Sequence, residues 1–230
     1  MFVKLKHYFG CYTIFAILAA MLVNCKNDEK IEVLHNGDLL FVGLPWQYSI
    51  SDNSDITSAI MASTGDTDDV NYVHVAIIEV EDDSTWIIDA TVKRGVARYP
   101  LDTFLQDFML KDGSYPQFDI KRLKNNRNAK SYVEQAKKYL GRSYDMYFLP
   151  DNEEQYCSEL VYNAYVTAGG GHLFHRYPMN FKSSDGTIPV YWKELFGMLE
   201  RPVPQDEFGT NPNTMSQETC LKKVDIKIVH

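Results

Sequence analysis

Hydrophobic and polar positions change period several times along this chain, and each change marks an element. Leu39-Leu40-Phe41-Val42 is an apolar run between the turn signal Asn36-Gly37-Asp38 and Gly43, and predicts a buried strand. Residues 52–63 put Ile56, Ala59, Ile60 and Ser63 at helical spacing behind an aspartate cap, with an acidic loop after them at 65–69. Residues 71–80 are rich in β-branched side chains, Glu81-Asp82-Asp83-Ser84 reads as a four-residue turn, and residues 85–90 return as the second strand of an antiparallel hairpin. A short strand at 95–99 leads into a helix with Pro100 in its first turn, and residues 117–123 alternate as a half-buried strand does. Ala129, Tyr132, Val133, Ala136 and Tyr139 form a helical stripe that Gly141 ends.

In residues 153–168 the apolar positions Cys157, Leu160, Val161, Ala164, Tyr165 and Ala168 follow the i, i+3, i+4, i+7 rule of a helix with one buried face. Gly169-Gly170-Gly171 reads as its stop. Residues 172–185 and 201–216 read as irregular, residues 191–196 as a short amphipathic helix, and residues 224–229 as an alternating edge strand. The sum is an α+β domain: a mostly antiparallel sheet with helices packed on it.

Composition supports one full core, since 45% of the 230 residues are hydrophobic. A net charge of −8 argues against nucleic acid as a partner and against recruitment to anionic lipid by charge. The N-terminus carries Lys4 and Lys6 before an apolar stretch from about Tyr12 to Val23, too short for a comfortable membrane span. It ends in Leu22-Val23-Asn24-Cys25, which resembles the lipobox that directs lipidation of a bacterial lipoprotein at its cysteine; Asn24 departs from the usual small residue. The expected organisation is a signal peptide at 1–24, a tether at 25–35 lipidated at Cys25, and one domain at 36–230. Ordinary signal cleavage and an uncleaved anchor are the alternatives. The expected location is the bacterial cell envelope, anchored to a membrane on its periplasmic side or at the cell surface. Of four cysteines, only Cys157 and Cys220 then remain in the domain, so this is no disulfide scaffold. A single Cys157–Cys220 bridge is open, and would count against chemistry at Cys157.

Cys157 opens a core-facing helix, where unpaired backbone N–H groups and the positive end of the helix dipole favour a thiolate. Free cysteines are also commonly small core hydrophobes. Among six histidines, His74 alone is embedded in an apolar strand, on the face expected for Tyr72 and Ala76. With residues 81–84 as the turn, Asp89 on the returning strand lies opposite Ala76 and diagonal to His74, within side-chain reach. A core histidine and a turn-capping aspartate are the bland readings of these two. His172 and His175, spaced i, i+3, have no partners to complete a metal set, and the glycine run follows a helix rather than opening one, so neither a metal nor a phosphate cofactor is expected.

Gly37-Asp38-Leu39-Leu40-Phe41, Tyr72-Val73-His74-Val75-Ala76-Ile77, Ile88-Asp89-Ala90 and Tyr156-Cys157-Ser158-Glu159-Leu160-Val161, in that order, resemble the permuted papain-like hydrolases. More narrowly, they resemble the YiiX-like branch of the NlpC cysteine peptidase superfamily. Gly141-Arg142-Ser143-Tyr144-Asp145 fits as well, and the resemblance covers roughly residues 36–196. It implies a circularly permuted fold in which the cysteine helix follows the strands it packs on. It also implies Cys157 as nucleophile, His74 as base, Asp89 as the orienting residue where this branch often has Glu, and Tyr144 lining the site. The implied activity is hydrolysis of an amide in cell-wall or other small peptides. A lipid acyl hydrolase or acyltransferase with the same triad is the first alternative, favoured by a long apolar groove beside Cys157, whereas a short polar pocket able to hold an α-amino group favours peptides. A non-catalytic lipoprotein binding module is the second.

Overall fold

A computed structural model describes residues 32–45, 56–64, 70–150 and 152–229. The signal peptide, Cys25, the cap of the helix expected from 52 and the acidic loop at 65–69 lie outside these residues. Six strands form one antiparallel sheet: β1 (Leu39–Pro45), β2 (Val70–Glu81), β3 (Ser84–Thr91), β4 (Gly95–Pro100), β5 (Gln117–Leu123) and β8 (Leu221–Val224). Their spatial order is β4-β3-β2-β1-β5-β8. The long apolar runs of β1 and β2 occupy the centre because both their faces are covered. Leu39, Phe41, Val75, Ile77 and Ile88 pack on one side against α3 (Ala129–Lys137) and α4 (Cys157–Ala164). Leu40, Val42, Ala76, Ile78 and Ile87 pack on the other against Phe104 and Leu105 of α2 (Leu101–Asp107). A third cluster joins α1 (Ile56–Thr64) and α5 (Val190–Met198) through Phe148, Tyr156, Phe181 and Trp192. Two short strands, β6 (Tyr177–Met179) and β7 (Glu207–Gly209), pair antiparallel beside it, and α6 (Pro212–Ser216) follows.

Several details differ from the sequence reading, each for a local reason. The β2–β3 turn has two residues rather than four, because Asp82 and Asp83 both take positive φ (46° and 61°) and let Glu81 pair with Ser84. The register is the expected one all the same, with Val80 opposite Thr85 and Ile77 opposite Ile88. A β-bulge shifts the β1–β2 register between Val42, opposite His74, and Gly43, opposite Tyr72. It moves Tyr72 off the face of His74 and onto that of Phe41, whose ring centroid is 5.3 Å away. Helix α4 stops at Ala164, a turn early, since fully buried Tyr165 donates its hydroxyl to the Gly37 carbonyl (2.9 Å) and its own carbonyl accepts from Leu173 N (3.0 Å). Ala168 is therefore exposed, and the glycine run lies in the turn beyond. The edge strand at the C-terminus covers Leu221–Val224 rather than 224–229, pairing with β5 from Leu221 opposite Leu123 to Val224 opposite Ile120.

Residues 32–35, expected on the tether, are tied to the sheet. Buried Arg122 on β5 clamps Asp38 (2.6 and 2.8 Å), donates to the Val33 carbonyl (2.7 Å) and pairs with Glu32 (3.1 Å). A buried guanidinium needs such complete pairing to offset its desolvation.

Candidate active site

The hairpin register places His74 and Asp89 side by side: His74 Nε2 lies 2.8 Å from Asp89 Oδ2. Asp89 is wholly buried, so a charge there requires partners. The sequence supplied one of them, His74, and missed the other. Tyr99 on β4 donates its hydroxyl to the two carboxylate oxygens, 2.9 Å from each. The diagonal rule that links His74 to Asp89 would have found it: Asp89 pairs with Ala97, and Tyr99 stands two residues on. The rings of Phe108 (4.9 Å) and Phe104 (6.0 Å) pack against the imidazole and shield it from water.

Cys157 is the first residue of α4, 5% exposed, and its helix packs on β2 and β3. Tyr156 at the N-cap offers no side-chain cap bond, so the first-turn N–H groups of α4 have no intrahelical acceptor. With Nε2 held by Asp89, Nδ1 is the imidazole nitrogen left for the thiol. Burial works to lower the basicity of His74, but negative charge on Cys157, the hydrogen bonds to Asp89 and Cys157, and the Asp89 charge outweigh it. Together they push the imidazole up to about 10. Cys157 and Cys220 are both free thiols; the Cys220 sulfur approaches the Leu173 carbonyl at 3.6 Å instead of Cys157. His172 stacks on Tyr162 (3.9 Å between centroids) and His175 bonds Glu218 (3.0 Å).

Beside Cys157 opens a cleft of about 230 Å³, and Tyr144 is among the residues that line it. Burial, and then negative charge at Cys157, push the Tyr144 phenol up. Phe148, Phe181 and Trp192 form much of the remaining wall. Sequence reading missed them, because Phe148 and Phe181 sit in irregular loops with no period to betray burial. Phe148 is held there by Asp145, a fully buried carboxylate that accepts from the backbone N–H groups of Tyr147 (2.7 Å), Phe148 (3.0 Å) and Leu149 (3.0 Å) and from Asn152 (3.1 Å).

These features can be set beside known proteins. The uncharacterised protein YiiX of Escherichia coli K12 is 24% identical over 159 residues, 67% of this chain and 73% of that protein. A crystal structure of YiiX from Escherichia coli O157:H7 superposes with a TM-score of 0.62 at 21% identity, covering 84% of this chain and 97% of that one. That protein is described as a metalloprotein. Among the described residues here, no group of three or more His, Cys, Asp or Glu side chains could hold a metal ion, so the donor set does not fit one. The model of the permuted papain-like amidases, the C92 family of YaeF and YiiX, matches residues 33–225. With its six-stranded antiparallel sheet and the cysteine helix placed after the strands it covers, this chain belongs to that family of cysteine hydrolases.

Proposed function

We propose that the protein hydrolyses an amide bond through a Cys157-His74-Asp89 triad. The observation that supports this most is the buried His74–Asp89 pair, 2.8 Å apart, next to a cysteine at the first position of a helix. His74 Nδ1 takes the thiol proton and the sulfur attacks the amide carbonyl carbon. The oxyanion that forms is met by first-turn N–H groups of α4. His74 then gives its proton to the departing amine as the C–N bond breaks, leaving a thioester on Cys157. A water molecule, deprotonated by the same imidazole, attacks the thioester and releases the acid with the free thiol. Asp89 keeps the ring in the required orientation and stabilises its charged form.

The substrate we infer is a cell-wall fragment or other small peptide. The setting we infer is the cell envelope, with the chain exported through residues 1–24 and anchored through a lipid on Cys25. Support comes from the basic and apolar N-terminal pattern ending in Leu22-Val23-Asn24-Cys25. The test is incubation of the purified chain with digested cell-wall peptides, followed by mass spectrometry of the products. Wild type is expected to release an amine or shortened peptide, and a folded Cys157→Ala variant none. Equal turnover by the two would overturn the assignment.

A further inference from the structure

The walls of the cleft beside Cys157 carry chemical information of their own. None of the described lining residues is Asp, Glu, Lys, Arg or His. Several of its polar groups are engaged within the protein. Trp192 Nε1 donates to Ser63 Oγ (2.9 Å), the Thr210 hydroxyl bonds that of Ser158 (2.9 Å), and Asn211 caps α6 through Thr214 N (2.9 Å). The apolar part of the wall is one cluster: Phe148, Phe181 and Trp192 in mutual edge-to-face contact at 5.0–5.7 Å, with Ile60 and Met179 beside them.

A second observation is independent of composition. Phe148 and Phe181 both adopt left-handed backbone, with φ of 52° and 58°. A residue with a Cβ is disfavoured there and persists only where its surroundings over-determine it, a circumstance concentrated at ligand sites. Two aromatic residues held this way on one cleft wall mark a surface shaped for an occupant.

The reaction fixes which part of the substrate that is. The leaving amine must receive a proton from His74, whose ring packs against Phe104 and Phe108, whereas the cleft is walled by Phe148, Phe181 and Trp192 of a separate cluster. The cleft therefore takes the other substituent of the scissile carbonyl. Its volume of about 230 Å³ exceeds the ~150 Å³ of a cavity known to hold benzene, and suits one aromatic or branched aliphatic group rather than a sugar chain.

We propose that this cleft is the acyl-side specificity pocket, and that it selects an uncharged aromatic or branched aliphatic group attached to the carbonyl that Cys157 attacks. The inference rests on the amidase reading and narrows its substrate. Its test is ammonia release from the N-acetylated amides of Phe, Leu, Lys, Asp and Gly, the acetyl group removing the α-amino charge. The expected order is Phe and Leu above Gly by ~10-fold or more in kcat/KM, with Lys and Asp lowest. Met179→Lys and Ile60→Asp, at half-buried positions of the wall, should each cut the preference for Phe over the charged amides by ~10-fold or more. A preference for Lys or Asp, equal rates for Gly and Phe, or variants with unaltered selectivity would overturn the pocket while leaving the amidase standing. If no amide is cleaved, alkylation of Cys157 by N-acetyl-Phe and N-acetyl-Lys chloromethyl ketones decides it. Faster capture by the Phe reagent upholds the pocket and removes the amidase reading, and equal or reversed rates overturn the pocket too.

Discussion

Replacing Cys157 by alanine should change the protonation of His74 more than it changes the fold. The imidazole is raised from 6.5 to about 10 although burial opposes the charged ring. At ~1.4 kcal/mol per pH unit, that corresponds to a net preference for imidazolium on the order of 5 kcal/mol. Four influences oppose burial: negative charge at Cys157, hydrogen bonds to Asp89 and to Cys157, and the Asp89 charge. Alanine abolishes the two that come from Cys157 and leaves burial and Asp89 in place. His74 of the variant should therefore titrate lower than in wild type, because the foremost of the raising influences comes from Cys157. Following the imidazole resonances of both proteins by NMR across pH 5–11 measures this directly. The same shift has a stability signature. A group whose folded pKa lies above its unfolded value of ~6.5 contributes stability that is fully present below that pH and is lost as pH rises towards 10. Because the charge on Cys157 is made by loss of the thiol proton, the two groups titrate as a pair, and the fall in denaturation midpoints should be complete at a lower pH in the variant than in wild type. Coincident titrations of His74 in the two proteins, or a wild-type imidazole titrating near 6.5, would refute the coupling of sulfur to ring.

Three further substitutions probe the surroundings of the pair. Asp89→Asn removes a wholly buried charge from between His74 and Tyr99; it should cost about 3–5 kcal/mol of stability and lower kcat by ~100-fold or more, checked by urea denaturation and steady-state kinetics. Tyr99→Phe deletes one hydrogen bond to a charged acceptor, worth about 1.5–3 kcal/mol, so calorimetry should show Tm falling by about 2–4 °C per kcal/mol and kinetics should show kcat falling more than KM rises. Asp145→Ala leaves three backbone N–H groups without their acceptor and frees the Phe148 loop; the expected result is loss of the preference for apolar amides with little change in His74 titration, and an unaltered substrate order would show that Asp145 does not hold the cleft wall.

The central sheet was legible because its residues obey short-range rules. Continuous apolar runs marked β1 and β2, and the hairpin register that put Asp89 beside His74 followed from the position of one turn. That inference survived a mistake about the turn itself: shortening the loop from four residues to two leaves Val80 opposite Thr85. Tyr72 shows where such reasoning fails. A bulge adds one residue to β2 opposite β1 and sends Tyr72 to the other face, and nothing in local composition announces it. Helix α4 was drawn too long because Ala168 fits the helical period, whereas the tertiary bond from Tyr165 to Gly37 ends the helix first. The short strands β6 and β7 were hidden for a related reason, since three-residue strands carry too little pattern to rise above a loop.

The two halves of the site are built by different physics, and this explains why one could be read and the other could not. His74, Asp89 and Tyr99 stand on adjacent strands, with Val75, Ile88 and Ala90 beside them fully buried, so their mutual distances are set by sheet register and core packing. The cleft walls come from loops whose shape depends on a buried carboxylate gathering backbone N–H groups and on two phenylalanines in left-handed conformation. The first arrangement is periodic and tolerant of changes elsewhere; the second depends on individual long-range bonds such as Trp192 to Ser63 and Asn213 to the Thr64 carbonyl. If the proposed triad operates, its proton-transfer groups stand on rigid strands while the cleft wall is made by loops. On the proposed reading, a change in the loop half should alter which amide is preferred, and a change in the sheet half should alter the rate on every amide alike.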